Sequence, residues 1–95
     1  MNDAWPFADP PNLAVVTMRS IIEDGRPILL VVHHADDSGW QFLDGEDVTE
    51  EDARVVSSYD AISRDASLRN LVISLPTGWQ AWRSGPDQAW QTLPL

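Results

Sequence analysis

Apolar residues along this chain fall mostly into short runs with the density or the alternation of β-strands. The densest run, within residues 28–34, is rich in β-branched side chains and predicts a central buried strand. Asp, Ser and Gly in residues 35–39 predict a turn, and residues 40–43 bring large apolar side chains again. Residues 28–43 therefore predict a β-hairpin with a five-residue loop.

Before the hairpin, the pattern predicts an arm, a strand and a short helix. Three prolines within residues 1–12 exclude a regular helix or a central strand, so an extended N-terminal arm is expected there. Residues 13–18 are rich in Val and Thr and predict a strand. Residues 17–24 fit a short helix, which Gly25 would end.

After the hairpin, helical and extended patterns alternate. Thr49 followed by Asp52 resembles a capping box, so a helix is expected to start there. Residues 53–63 fit either a helix or a strand. Residues 65–71 predict a short helix, and residues 72–75 either extend it or form a strand. The last apolar segments predict two further strands, at residues 79–83 and 88–93.

These elements predict an α+β fold with a single small domain. The chain has 95 residues, which is enough for one hydrophobic core and too few for two. We expect the domain to span residues 13–95, after the arm of residues 1–12. Its antiparallel sheet should be built around the 28–43 hairpin, with short helices packed on one face.

Charge and composition narrow the possible partners. The formal net charge is −9, from 15 acidic and 6 basic residues, and every basic residue is arginine. Such a charge repels nucleic acid and anionic membranes and attracts a basic protein, although it also simply favours solubility. The chain has no cysteine, and its N-terminus lacks the basic start and apolar core of a signal peptide, so a cytoplasmic location is expected.

Candidate catalytic chemistry is sparse. No serine lies in a nucleophile-elbow pattern, and no glycine-rich loop for a nucleotide or other cofactor is present. His33, His34, Asp36 and Asp37 are weak candidate metal ligands. Adjacent residues of a strand point to opposite faces, so the two histidines are poorly placed to share one ion. We therefore expect no metal and no cofactor. The simpler interpretation of residues 33–37 is the end of a strand followed by a turn.

Acidic side chains and tryptophans are the candidate binding residues. Trp79 and Trp82 are three positions apart, so on a strand one of them should face solvent, where an indole can anchor a partner. The alternative is that all five tryptophans line a small core. The candidate binding set is Asp36, Asp37, Asp44, Glu46, Asp47, Glu50, Glu51, Asp52, Trp40 and Trp82.

Four segments carry a recognisable pattern: residues 15–19 (VVTMR), 25–29 (GRPIL), 36–45 (DDSGWQFLDG) and 75–83 (LPTGWQAWR). Together they span about residues 13–83 and resemble the immunity protein 33 family of small bacterial domains. The resemblance implies an α+β fold and neutralisation of a toxin in polymorphic toxin systems. It brings no catalytic residues, and the matched Trp40 serves structure as readily as function.

Three hypotheses follow for the function. The first is a non-catalytic protein-binding module of immunity type, not an enzyme, which neutralises a basic, toxin-like partner. The second is a metal-dependent or acid–base enzyme that uses residues 33–37. The third is a structural or regulatory homo-oligomer that associates through exposed aromatic side chains.

Overall fold

The computed structural model describes residue 7, residues 9–47 and residues 49–95, and these form six strands and three helices. The strands are β1 (Ala14–Met18), β2 (Leu30–His33), β3 (Trp40–Leu43), β4 (Ala53–Ser57), β5 (Trp79–Trp82) and β6 (Gln91–Pro94). The helices are α1 (Arg19–Asp24), α2 (Ser58–Ser63) and α3 (Ser67–Ser74). The predicted α+β class is confirmed.

The six strands form one sheet in the order β4-β1-β3-β2-β5-β6. The predicted hairpin is confirmed and lies at its centre, where Leu30 pairs with Leu43 and His33 with Trp40. The other neighbouring strands are antiparallel except β1 and β3, which run parallel. The sheet is therefore mixed, whereas an antiparallel sheet was predicted, because the hairpin returns its second strand alongside β1.

Helices α2 and α3 pack on one face of the sheet and close the core. Strands present Val15 and Phe42 on this face, and both line a small pocket together with Ile62 of α2 and Val72 of α3. Helix α1 lies beside the end of α2, where Arg64 Nη1 donates to the Ile21 carbonyl at 3.5 Å. Burial of this face is the main source of stability, as expected for a single small core.

The chain departs from the expected helix at residue 49. The local hydrogen bonds of a capping box do form, because Thr49 Oγ1 accepts from the Asp52 amide at 3.3 Å and donates to the Asp52 carboxylate at 3.1 Å. A single turn follows, and then β4 pairs with β1 over its full length. The predicted helix start was wrong because Val55 and Val56 are β-branched and gain a complete ladder as a strand.

Where the structure describes it, the N-terminal arm is tied to the start of α2. Ser58 Oγ donates to the Pro10 and Pro11 carbonyls at 2.9 and 3.1 Å, and the Ser58 amide donates to the Leu13 carbonyl. Phe7 packs against the core. Most of the predicted arm, including Trp5, lies outside the described residues.

Arg83, just after β5, is a buried arginine that joins distant parts of the fold. Its Nη2 and Nε donate to the Ile28 carbonyl at 2.8 and 3.2 Å, and Nη1 donates to the Pro86 carbonyl at 3.1 Å. Nη2 also forms an ion pair with Asp65. The centre of the guanidinium lies 4.3 Å from the Trp90 ring, within cation–π range.

Asp65 and Ser67 complete this group, which we call the Arg83 cluster (Asp65, Ser67, Arg83 and Trp90). Asp65 accepts from the amide and hydroxyl of Ser67, and the Ser67 hydroxyl accepts from Trp90 Nε1 at 3.0 Å. Burial by itself would raise the pKa of Asp65, but hydrogen bonds from Arg83 and Ser67 outweigh it and lower this pKa. The cluster thus holds an ionised pair and fixes the start of α3.

Candidate interaction surface

The sheet face opposite the helices carries side chains of a different character. Strand residues alternate between the faces, and one row of directly paired positions crosses all six strands on this side. The row consists of Leu93, Gln80, Val32, Gln41, Val16 and Val55. None of these six side chains carries a charge, so the row forms an uncharged band across the whole width of the sheet.

A second row lies towards the ends of β1 and β3. Its members are Gln91, Trp82, Leu30, Leu43, Met18 and Ala53. We call these two rows, together with the paired Ala14 and Ser57, the open face. Among the large apolar side chains of the open face, Val55, Trp82 and Leu93 are 70%, 46% and 39% exposed. Met18, Val32 and Leu43 of the same face are buried, at 4%, 8% and 5% exposure. Val55 and Leu93 lie on opposite edge strands, so the exposed apolar side chains are separated across the sheet.

Acidic residues collect at one end of the sheet, where β1 and β3 finish and β4 begins. Arg19, the first residue of α1, pairs with Asp52 at 2.9 Å, and Arg54 of β4 pairs with Glu23 at 3.6 Å. These contacts bring α1 and the segment before β4 together. We call the resulting surface the acidic end; its carboxylates are Glu23, Asp24, Glu46, Asp47, Glu50, Glu51 and Asp52.

Two arginines lie within the acidic end and neutralise only part of it. The hydrogen bond that Arg19 donates to Asp52, followed by the nearby charges of Asp52, Glu23 and Asp24, raises the pKa of Arg19 above its already high usual value. Glu46, Asp47, Glu50 and Glu51 are exposed. The acidic end therefore presents a negative field to solvent, and five predicted binding residues lie there: Glu46, Asp47, Glu50, Glu51 and Asp52.

Asp44 is the exception in this segment. It is only 5% exposed, and its carboxylate accepts from Ser20 Oγ at 2.7 Å and from the Glu46 amide at 2.9 Å. The prediction that Asp44 belongs to an exposed binding surface was wrong, because this carboxylate joins α1 to the turn after β3. The following Gly45 has a φ of 92° and forms a tight turn, but a glycine after an aspartate does not by itself indicate that the carboxylate is buried.

Asp36 and Asp37 lie at the opposite end of β3 from the acidic end. A four-residue strand separates the two sites by about 13 Å. Asp37 Oδ1 accepts from the Gly39 amide at 2.8 Å, and a Cβ at Gly39 would lie 2.9 Å from this same oxygen. A side chain at Gly39 would therefore have to displace the Asp37 carboxylate. The turn lies away from the other acidic residues.

Trp40 is buried and does not belong to an exposed surface, which corrects its place in the candidate binding set. It is 6% exposed, its ring stacks on His33 with 3.7 Å between centroids, and its Nε1 donates to Asp9 at 3.2 Å. His33 is itself buried, and its Nδ1 lies 2.9 Å from the Leu75 carbonyl. Both residues pack the helical face of the sheet.

Trp79 and Trp82 lie on opposite faces of the sheet, as their spacing predicts. Trp79 is half-buried on the helical face and Trp82 is exposed on the open face, so the prediction that one of the pair faces solvent is confirmed. Trp90 is half-buried in the Arg83 cluster. Trp82 pairs with Leu30, which pairs with Leu43, so the exposed indole stands on the row nearest the acidic end.

The predicted metal ligands do not come together. His33 is buried against Trp40, whereas His34 follows β2 with its backbone amide bonded to the Gly39 carbonyl at 2.8 Å. Across the described ranges, no group of three His, Asp or Glu side chains is placed to hold a metal ion.

Each edge of the sheet carries one feature that hinders the addition of another strand. Arg54 Nη1 donates to the carbonyls of Glu51 and Ala53 beside β4, at 2.8 and 2.9 Å. At the other edge, β6 contains Pro94, which has no amide hydrogen to offer. Contacts with other proteins are therefore expected on the faces and ends of the sheet rather than along its edges.

A scan of the chain against protein-family models found no match, and neither curated proteins nor solved structures provided one. The resemblance to the immunity protein 33 family therefore stays a prediction. Every helix in the described ranges is too short or too polar to cross a membrane.

Proposed function

We propose that this protein is a non-catalytic binding module of immunity type, acting in the cytoplasm, that neutralises a basic protein partner. The observation that carries the proposal is the position of Trp82. This exposed indole lies on the row of the open face nearest the acidic end. Interfaces combine a buried apolar or aromatic anchor with a polar rim, and these two features supply one of each.

The acidic end would act mainly on the encounter between the proteins. Its exposed carboxylates project a negative field that accelerates association with a cationic surface, such as the active site of an enzyme that binds nucleic acid. Trp82 would act after the encounter, because burying an indole slows dissociation. The sequence resemblance to immunity proteins supports the same interpretation, since such proteins act by occluding a toxin.

The test is affinity capture from the native lysate, with partners identified by mass spectrometry, at low and high salt. We expect a protein of high isoelectric point that is retained at low salt and released at high salt, because screening weakens attraction between exposed charges. Absence of any basic partner at low salt would contradict the proposal.

Two variants with equal changes in net charge locate the surface. Glu50→Gln with Glu51→Gln removes two charges from the acidic end, and Asp36→Asn with Asp87→Asn removes two exposed charges elsewhere. We expect the first to reduce capture of the basic partner several-fold and the second to leave it nearly unchanged. Equal losses in both would show that net charge alone, and not the acidic end, attracts the partner.

A further inference from the structure

We propose that a pocket beside the end of α1 binds a small organic acid, a carboxylate whose remaining surface is apolar. We call it the Arg26 pocket. Residues 25–28 after α1, Arg64 and Asp65 between α2 and α3, and Pro86 after β5 line it, and its volume is about 370 Å³. Pockets that bind small molecules measure roughly 300–1,000 Å³, so this one suits a ligand of modest size. Its wall in the described chain does not include Trp82, so the site is separate from the anchor proposed for the basic partner.

Two of the six arginines line the Arg26 pocket, although the chain carries a net charge of −9. Arg26 is exposed, and within the described residues its guanidinium has no hydrogen bond or ion pair. Arg64 pairs with Asp60 at 3.3 Å and donates a long bond of 3.5 Å to the Ile21 carbonyl. A guanidinium carries several N–H donors, so both side chains retain donors for a ligand.

Arg83 already occupies the main acceptors in the wall of the pocket. It donates to the Ile28 and Pro86 carbonyls at 2.8 and 3.1 Å. It also pairs with Asp65, whose other carboxylate oxygen accepts from Ser67. A cationic ligand would therefore find the carboxylate of the wall paired and two guanidinium groups repelling it. The unused donors select a ligand that accepts hydrogen bonds, and an anion forms the stronger ones.

The other side chains of the wall are apolar and select an organic anion over an inorganic one. They are Ile21, Pro27, Ile28 and Pro86. Pro27 is half-buried and Pro86 is exposed, so a ligand with an apolar body removes surface of both from water. A hydrated phosphate ion gains nothing from these side chains. The planar carboxylate also matches the fork of N–H groups on a guanidinium.

The test is titration of the isotope-labelled full chain with phenylacetate at constant pH, followed by NMR of the backbone amides and the arginine side chains. Phenylacetamide has nearly the same shape without the charge, whereas acetate and inorganic phosphate have the charge without the apolar body. We expect phenylacetate to shift the signals of residues 25–28 and 64–65, with a dissociation constant of about 1 mM. The three comparison compounds should bind at least about fivefold more weakly.

Two variants with the same loss of charge locate the site. Arg26→Gln removes the exposed guanidinium of the pocket, and Arg69→Gln makes the same change on α3, outside the wall. We expect Arg26→Gln to weaken phenylacetate binding at least about fivefold and Arg69→Gln to change it less than about twofold. Thermal unfolding shows whether each variant is folded.

Three outcomes would overturn the proposal. One is a native chain whose pocket signals do not shift up to about 20 mM phenylacetate. The second is phenylacetamide or phosphate binding as tightly as phenylacetate, and the third is an equal loss in both variants. Because the titration contains no other protein, its outcome is independent of the capture of a basic partner.

Discussion

Two Arg–Asp pairs in this protein have the same chemistry and opposite surroundings. The side chains of Arg83 and Asp65 are 2% and 25% exposed, whereas those of Arg19 and Asp52 are 54% and 33% exposed. Arg83 of the buried pair makes further hydrogen bonds to the Ile28 and Pro86 carbonyls, while the exposed pair lies near the carboxylates of Glu23 and Asp24. Burial thus separates a pair that maintains the fold from a pair that shapes the field of the acidic end.

The largest effect should come from breaking the buried pair. Arg83→Met is expected to lower the free energy of unfolding by about 3 kcal/mol, because it leaves Asp65 charged without its partner and strips the Ile28 carbonyl of its donor. Urea denaturation measures the change. The matched control is Arg26→Met, at an exposed arginine, which should have little effect. A loss below about 1 kcal/mol in Arg83→Met would contradict the role given to the Arg83 cluster.

The buried pair of Arg83 and Asp65 should also make the free energy of unfolding fall at acid pH. The folded pKa of Asp65 lies below its ordinary value of 3.8, so its contribution is fully present above that value and is lost as the pH falls through the folded pKa. We expect Asp65→Asn to be less stable than the native chain at neutral pH. The difference between the two should shrink steadily below about pH 4. A difference that is independent of pH would show that the carboxylate charge is unimportant there.

A smaller effect is expected at the indole of the cluster. Trp90→Phe removes the hydrogen bond to Ser67 and weakens the contact with Arg83, which should lower the free energy of unfolding by about 1 kcal/mol. Trp82→Phe makes the same change at the exposed indole and should leave stability nearly unchanged. Chemical denaturation of both variants measures the free energy of unfolding. Equal losses in the two variants would show that the contacts of Trp90 in the Arg83 cluster add no stability.

The smallest effect is expected at the exposed pair. Arg19→Met should shift the unfolding midpoint by no more than experimental error, since the side chain is largely solvated and its partner Asp52 keeps a bond from Thr49. The same variant makes the acidic end more negative, so association with a basic protein should become faster. A clear loss of stability would mean that this pair is structural after all.

Local patterns predicted much of the fold. Dense β-branched residues and a turn of Asp, Ser and Gly located the central hairpin, and Gly25 ended α1 with a φ of 70°. The spacing of Trp79 and Trp82 predicted that one indole would face solvent, because alternation along a strand is a local property. Such features depend on a few neighbouring residues, so the chain alone reveals them.

Features set by distant neighbours were not predictable. Thr49 forms local capping bonds, yet pairing with β1 decided that a strand follows. Asp44 resembles its acidic neighbours in sequence, but Ser20 of α1 buries it. The open face was missed because Gln80, Gln41 and Val55 come to lie in one row only through the strand order, which no local signal specifies.

The exposed position of Trp82 also means that its fluorescence can be used to detect binding at this part of the surface. Of the four tryptophans in the described ranges, it is the one with an exposed side chain, while Trp40, Trp79 and Trp90 are buried or half-buried. A soluble collisional quencher should therefore reduce the emission of Trp82 more than that of the others. In a Trp5→Phe background, shielding from the quencher would show occupancy of this end of the open face without any attached dye.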